Sequence, residues 1–407
     1  MRWFTTLVFA CVYLGLAAGR IPGLGLDRAG IALLGAIALL AAGALGTAQA
    51  WAAIDAPTLI LLFGLMAVSA QLWSSGFYAA ITRRLSALDA SPQRLLAWLI
   101  VVSASLASVL MNDVVCLAMA PVLVEVCTRR RLDPVPFLLA LAAAANVGSA
   151  ATLIGNPQNV LVGQRMGLSF GGYTLFALPA VVVSLVAVHA VIARVWRGRF
   201  ERELVPVSAP SPTLDRGQAG KGLLVLGLLV VALLIDAFPR EVVALVAAAM
   251  VLVSRRLRSR AVLAEVDWQL CVLFIALFVV HAAFEKTGIP KDLLESMRGA
   301  GVDVGRPPWL PVATIALSNV VSNVPAVMLL LPATEGSTAG YALALFSTFA
   351  GNLLLVGSIA NLIVVEQASR LGVHPSAGSW FATHLRVGLP ITLISAACAG
   401  LTLALAG

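Results

Sequence analysis

Charge is scarce in this chain. Asp, Glu, Lys and Arg make up 11% of its 407 residues, against roughly 25% in soluble proteins. With 60% of residues hydrophobic and a mean hydropathy of +0.98, an ordinary soluble fold is excluded. Cysteine is scarce too: Cys11, Cys116, Cys127, Cys271 and Cys398 stand apart, without CxxC spacing or a Cys/His cluster. That excludes a disulfide framework, a structural zinc and a haem, and no cofactor or metal is expected. Also missing are an HExxH helix, paired catalytic acids and a nucleophile–base pair, so a membrane enzyme has nothing to recommend it.

What the chain has is apolar stretches near or above the ~20 residues that span a bilayer. Ten recur: 4–19, 29–49, 56–73, 134–166, 172–196, 221–236, 239–254, 268–284, 339–368 and 380–405. Two more, 94–127 and 309–333, are interrupted near the middle. The first stretch resembles a signal peptide, with Arg2 before it and Ala17-Ala18-Gly19 at its end; a counterpart in the second half argues for a retained span. If the N-terminus is outside and the two interrupted stretches re-enter as hairpins, 20 of the 27 basic residues fall inside and 7 outside. The positive-inside rule selects that orientation. The net charge of +8 is therefore a topology signal, and no nucleic-acid partner is expected. The chain reads as a multi-pass protein of the inner (cytoplasmic) membrane, surrounded by lipid, with both termini outside.

The chain also repeats itself. IDAPTLILLFGLMAVSAQLWSSGF (54–77) aligns without a gap on VDWQLCVLFIALFVVHAAFEKTGI (266–289), an offset of 212 that also places Asp55 on Asp267 and Arg28 on Arg240. SLASVLMNDVVCLAMAPVL (105–123) meets ALSNVVSNVPAVMLLLPAT (316–334) at 211, bringing Asn112 onto Asn323. GSAATLIGNPQN (148–159) meets GNLLLVGSIAN (351–361) with one residue deleted, so Gly155 meets Gly357 and Asn159 meets Asn361. Each half then holds five crossings and one hairpin. Five is odd, so the second half is expected to be inverted, the organisation of many secondary transporters. The expected fold is an all-α polytopic membrane protein of two inverted repeats of five transmembrane helices, each with a re-entrant hairpin and a broken helix. The first repeat covers 1–197, a cytoplasmic linker 198–220, and the second repeat 221–407.

Four interruptions carry the polar residues. The hairpin tips are Met111-Asn112-Asp113 and Ser322-Asn323-Val324-Pro325; the breaks are Gly155-Asn156-Pro157-Gln158-Asn159 and Gly357-Ser358-Ile359-Ala360-Asn361. At a break, the positive end of a half-helix favours an oxyanion or polar oxygen, while freed carbonyls and Asn oxygens accept from a cation or hydroxyl. Asn159 and Asn361 are expected to face a cavity rather than core. Thr152 and Ser149 read as secondary ligands or as backbone seals. Asp113 is the only carboxylate at a break; an intramembrane acid is functional by default, here as the group coupling transport to a proton, with an N-cap for the helix at Val114 as the alternative. Its mate is Val324. Asp55 and Asp267 read as N-caps, and His189 and His281 as core histidines, with a proton-relay role for His281 as the alternative.

The quartet MNDVV, ATLIGNPQN, SNVVSNVPAV and GNLLLVGSIANLIVVEQ resembles the ion transporter superfamily, and most closely its branch of arsenite permeases, plant silicon efflux transporters and citrate-transporter-like permeases. The resemblance covers nearly the whole chain. It implies a secondary active transporter, places Asn112, Asp113, Asn156, Asn159, Ser322, Asn323, Ser358 and Asn361 at site positions, and implies a homodimer. The sequence departs from the sodium-coupled dicarboxylate members, which carry Ser-Asn-Thr at both tips. With Asp113 at a tip and no Arg or Lys in an apolar segment near a break, the expected substrate is a neutral oxyacid such as arsenous or silicic acid, exported against protons. The alternative is a proton- or sodium-coupled symporter of a carboxylate or other inorganic anion. A channel is the alternative from another class.

Overall fold

The computed structural model describes residues 1–19, 25–205, 207–208 and 213–406; Arg20, counted above among the inside charges, and parts of the linker lie outside them. Ten α-helices precede the linker: α1 (Arg2–Ala18), α2 (Arg28–Ala41), α3 (Thr47–Ala53), α4 (Ala56–Ser74), α5 (Phe77–Ser86), α6 (Pro92–Val109), α7 (Asn112–Arg129), α8 (Pro134–Ser149), α9 (Pro157–Arg165) and α10 (Phe170–Val195). Ten follow it: α11 (Arg216–Ile235), α12 (Arg240–Leu252), α13 (Ser259–Ala264), α14 (Trp268–Glu285), α15 (Ile289–Gly299), α16 (Trp309–Val321), α17 (Asn323–Leu330), α18 (Ser337–Ala350), α19 (Ile359–Arg370) and α20 (Trp380–Ala406). Among the described residues the β-structure is one isolated bridge, Leu132 with Glu201. The protein is all-α.

The first ten helices match the second ten in order. The starts of α2 and α12, α4 and α14, and α5 and α15 all differ by 212. Equal residues do equal local work. Asp55 accepts from Thr58 N at 3.0 Å and Asp267 from Leu270 N at 2.9 Å, so both are N-caps. Gly76 and Gly288 turn the chain into α5 and α15 at φ 72° and 78°, backbone that residues with a Cβ rarely adopt. α11 starts at Arg216, inside the expected 198–220 linker, where Asp215 caps it by accepting from Gly217 N and Gln218 N (2.9 and 3.1 Å).

Helix packing also survives exchange of the halves. The most extensive contacts are α4 on α12 and its mate α14 on α2, α6 on α8 and its mate α16 on α18, and α10 on α20. Lipid supplies no hydrophobic drive between helices, so close approach of small residues matters most. A Cβ on Gly64 would lie 2.5 Å from the Ala244 carbonyl, and one on Gly148 would meet the Ala104 backbone. Those glycines let the two largest interfaces close.

Among the described residues six helices are long and apolar enough to cross a membrane: α4, α6, α10, α11, α14 and α20. The remaining expected spans are shorter, because apolar stretches run on through turns; 29–49 divides into α2, the turn at 42–46 and the start of α3. Loop contacts sort the chain ends of these helices onto two faces. One face joins 88–90 to Arg130, 131–133 to 200–202, Arg202 to His374, and Asp215 to both Ser75 and Arg256. The other joins Arg2 to Asp292, Lys286 to Gln49, Asp55 to Arg165, and Arg240 to Leu168. Arg130 donating to Leu88 O and Ala90 O (3.3 and 3.0 Å) means that α6 starts where α7 ends. That stretch is a hairpin. The second hairpin closes likewise, with Gly305 against the Ala333 carbonyl.

Candidate functional site

The Asn-Pro at the first break is explained by helix capping. α8 ends at Ser149 and α9 starts at Pro157, where proline has no needed amide to lose. Asn156 Oδ1 accepts from Asn159 N (2.9 Å) as the N-cap, while its Nδ2 donates to Ser149 Oγ (2.9 Å) and Thr348 Oγ1 (3.1 Å). Asn159 donates to Thr152 O (3.1 Å) and Tyr173 Oη (3.2 Å) and accepts from Thr348 Oγ1 (3.1 Å). At the second break Asn361 repeats this, donating to Gly351 O (2.7 Å) and Leu354 O (3.3 Å) and accepting from Asn146 Nδ2 (3.0 Å). Both asparagines are buried and their amides engaged, contrary to the expectation that they face a cavity. They staple the broken helices.

Each hairpin is sewn to the break of its own half. Thr152 Oγ1 donates to Ser108 O (2.5 Å), the backbone seal rather than the ligand. Asn319, the mate of Ser108, donates to Ala350 O (3.1 Å) and accepts from Leu354 N (3.1 Å). Asn112 N donates to Gly155 O (3.2 Å). The Asn323 amide, oriented by its neighbours, donates to Gly357 O (3.2 Å) and Ser347 O (3.1 Å) and accepts from Gln158 Nε2 (3.3 Å).

Between these seams lies a narrow cavity of about 40 Å³ lined by Asn112, Asp113, Pro157, Gln158, Ser322, Asn323, Val324, Ser358 and Ile359. The first turns of α7, α9, α17 and α19 thus converge on one space. Half-helix N-termini carry partial positive charge and unpaired amides, which favour anions and polar oxygens. Asp113 is in the first turn of α7, whose N-cap is Met111, so the capping alternative fails and its carboxylate belongs to the cavity wall. Asn112 Nδ2 donates to Asn146 Oδ1 (3.2 Å), and its own Oδ1 is buried without a partner among the described residues. That oxygen is free to accept from a bound cation or hydroxyl. Ser322 is held at φ 75°, ψ 162°, a region that costs of order 1–3 kcal/mol for a residue with a Cβ.

Of the residues expected at the site, Asn112, Asp113, Ser322, Asn323 and Ser358 meet in this cavity, while Asn156, Asn159, Asn361 and Thr152 hold its frame. Three participants were not expected. Asn146 is the hub where the halves meet: it bonds Asn112, Asn352, Asn361 and Ser358 at 2.9–3.2 Å. Thr348 is its counterpart, binding Asn156 and Asn159 across the same divide. Their sequence signal is faint, a polar residue within the last turns of an apolar helix just before a break. The third is Arg28, which stands just outside the apolar stretch 29–49 yet lines the cavity and donates to Val356 O at 3.5 Å. A charge at the start of a helix reads as interfacial, and only folding carries it inward. His281, half-buried, pairs with Tyr13, which also donates to Pro325 O (3.2 Å). Among the described residues no group of three His, Cys, Asp or Glu could hold a metal.

Comparison with known proteins agrees with this architecture. The sequence profile of the citrate transporter family, CitMHS, matches residues 13–343. An uncharacterized transporter of Mycobacterium bovis is 31% identical, over 97% of this chain and 96% of its own length. The inner membrane protein YbiR of Escherichia coli is 31% identical over 86% of this chain and 88% of its own. The silicon efflux transporter LSI3 of rice (Oryza sativa subsp. japonica) is 29% identical over 92% of each chain. The YdaH transporter structure from Alcanivorax borkumensis superposes with a TM-score of 0.61 at 17% identity, covering 99% of this chain and 96% of that one. A profile match that covers most of the chain, both hairpins and the first break included, makes this chain a member of the citrate transporter family of membrane transporters.

Proposed function

We propose that the protein is a secondary active transporter that carries a small oxyanion, with Asp113 binding the coupling proton. One observation carries this reading: four half-helix N-termini, one guanidinium and one carboxylate share a single narrow cavity. The N-termini and Arg28 favour the substrate's negative oxygens, and Asn112, Ser322, Asn323 and Ser358 offer hydrogen bonds that fix its orientation. Asp113 opposes the anion unless it holds a cation, which ties occupancy of one to occupancy of the other. A proton fits better than sodium, since Met111 and Val324 replace two hydroxyls that a paired sodium site would use.

A second reading has support from the same carboxylate. Asp113 disfavours a dianion, and a relative bears the name silicon efflux transporter, so a neutral acid such as silicic or arsenous acid could be exported in exchange for protons. Purified protein in proteoliposomes separates the readings. Arsenite, antimonite, silicate, citrate, succinate and sulfate are offered under imposed proton or sodium gradients. Accumulation of an anion that follows the proton gradient supports the first reading; movement of the neutral acids alone supports the second. Flux without trans-stimulated exchange is the signature of a channel and sinks both. In the orientation we propose, both termini lie outside and the linker is cytoplasmic, so a cysteine at Ser208 should label only from the cytoplasmic side.

A further inference from the structure

Arg28 and Arg240 occupy equal places and do unequal things. Each is the first residue of its helix, 212 apart, on helices that pack against α14 and α4 respectively. Each reaches across to the broken helix of the other half. Arg240 grips the far end of α9, donating to Gly163 O (3.3 Å) and Leu168 O (2.5 Å) while paired with Asp236 (3.3 Å). Around it Arg165 pairs with Asp55, and Gln164 donates to Glu241 (2.8 Å). Those bonds tie the far end of α9 to the starts of α4 and α12. Arg28 instead stands beside the near end of α19, with one 3.5 Å bond to Val356 O. It lines both the central cavity and a wider vestibule of about 580 Å³ beside it, which reaches Asp267. Among the described residues neither Arg28 nor Asp267 has an ion-pair partner, whereas Arg240 and Asp55 both do. The same asymmetry reaches the backbone: Val356 is 40% exposed, and its mate Ile154 is 1% exposed.

We propose that Arg28 and Arg240 form a matched pair that exchange roles during turnover, the one on the open face meeting the anionic substrate while the one on the closed face locks the opposite half's broken helix. This deepens the transport reading, on which it rests. A guanidinium suits both tasks, because its planar fork binds backbone carbonyls singly and an oxyanion in bidentate fashion. When the closed face opens, Arg240 leaves Gly163 and Leu168 and comes to lie beside Ile154, as Arg28 lies beside Val356. When the open face closes, Arg28 takes up the carbonyls at the end of α19, and Asp267 finds a partner there as Asp55 does now. One guanidinium is then always available to the substrate. The other is always spent on holding the seal.

The test uses the full chain with its five cysteines replaced, and membrane-impermeant maleimide as probe. Val356→Cys should label and Ile154→Cys should be protected. Adding Arg240→Gln should raise labelling of Ile154→Cys severalfold and lower that of Val356→Cys; Arg240→Lys, which keeps a charge, serves if the glutamine variant fails to assemble. This arm needs no substrate, so it stands even if no compound in the panel is transported. In the second arm, counterflow of a transported anion is measured from each face. Arg28→Gln should raise the half-saturating concentration about tenfold or more on the Val356 face alone, with Arg28→Lys recovering part of the loss, and Arg240→Gln should do so on the other face. The proposal is overturned if Ile154→Cys stays protected in both Arg240 variants, or if Arg28→Gln acts equally from both faces.

Discussion

The two halves of this molecule share a frame and differ in their chemistry. Asn159 and Asn361 staple the two breaks with matching bonds, Asp55 and Asp267 cap matching helices, and the largest helix contacts map onto each other. Where function is expected, the match fails. Asp113 has Val324 as its mate in the lining of the cavity, Asn146 answers Thr348, and Arg28 is loosely held where Arg240 is locked. Symmetric residues build the frame because two copies of one fold need the same seams. Asymmetric ones are where the proposed chemistry sits, because a single coupling carboxylate and one open face would be enough.

The comparison is broken most severely at its interfaces. Gly148→Leu should remove most assembled protein, since a side chain there meets the Ala104 backbone and overpacking alone costs about 1–3 kcal/mol. Size-exclusion yield and thermal unfolding in detergent would register it; normal yield would show that the α6–α8 contact is slack. Next comes the unequal pair at the tips. Asp113→Asn should keep downhill exchange and lose gradient-driven accumulation, while Val324→Asn keeps both. If Asp113→Asn still concentrates substrate with an undiminished proton dependence, the coupling group lies elsewhere.

Smaller effects sharpen the contrast. Asn146→Ala removes bonds to four buried partners and should cost about 1–3 kcal/mol, more than Thr348→Val. Equal thermal shifts for the two would show that the hub is shared evenly. Asn159→Ala and Asn361→Ala should lower thermal stability by similar amounts, and an unchanged melting temperature for either would return it to the list of ligands. The smallest effect is at the linker. Hydrogen bonding from the Gln218 amide, with the Arg256 guanidinium nearby, holds the Asp215 carboxyl below its ordinary range. The stability this cap contributes is present above the unfolded value and is lost as pH falls through the lowered one. Asp215→Asn should therefore flatten the acid limb of the stability curve slightly.

Much of this was legible in the amino-acid order. Apolar runs disclose helices in lipid because a bilayer leaves the backbone no other partner, and an offset of 212 discloses a repeat because equal helices need equal caps and turns. The Asn-Pro at 156–157 was legible as a break, and Asp113 as the lone acid at one. Its use was not: only the fold shows that Asn156 caps α9 while Asn159 is spent on Thr152, Tyr173 and Thr348. Sequence alone determined that the chain is a membrane protein built twice, with four interruptions holding its polar groups. Tertiary structure decided which of those groups meet. Asn146 reaches Asn361, and Arg28 reaches Val356, across more than two hundred residues of chain. Such contacts leave no local period or spacing to read, because they depend on how helices cross rather than on where they begin.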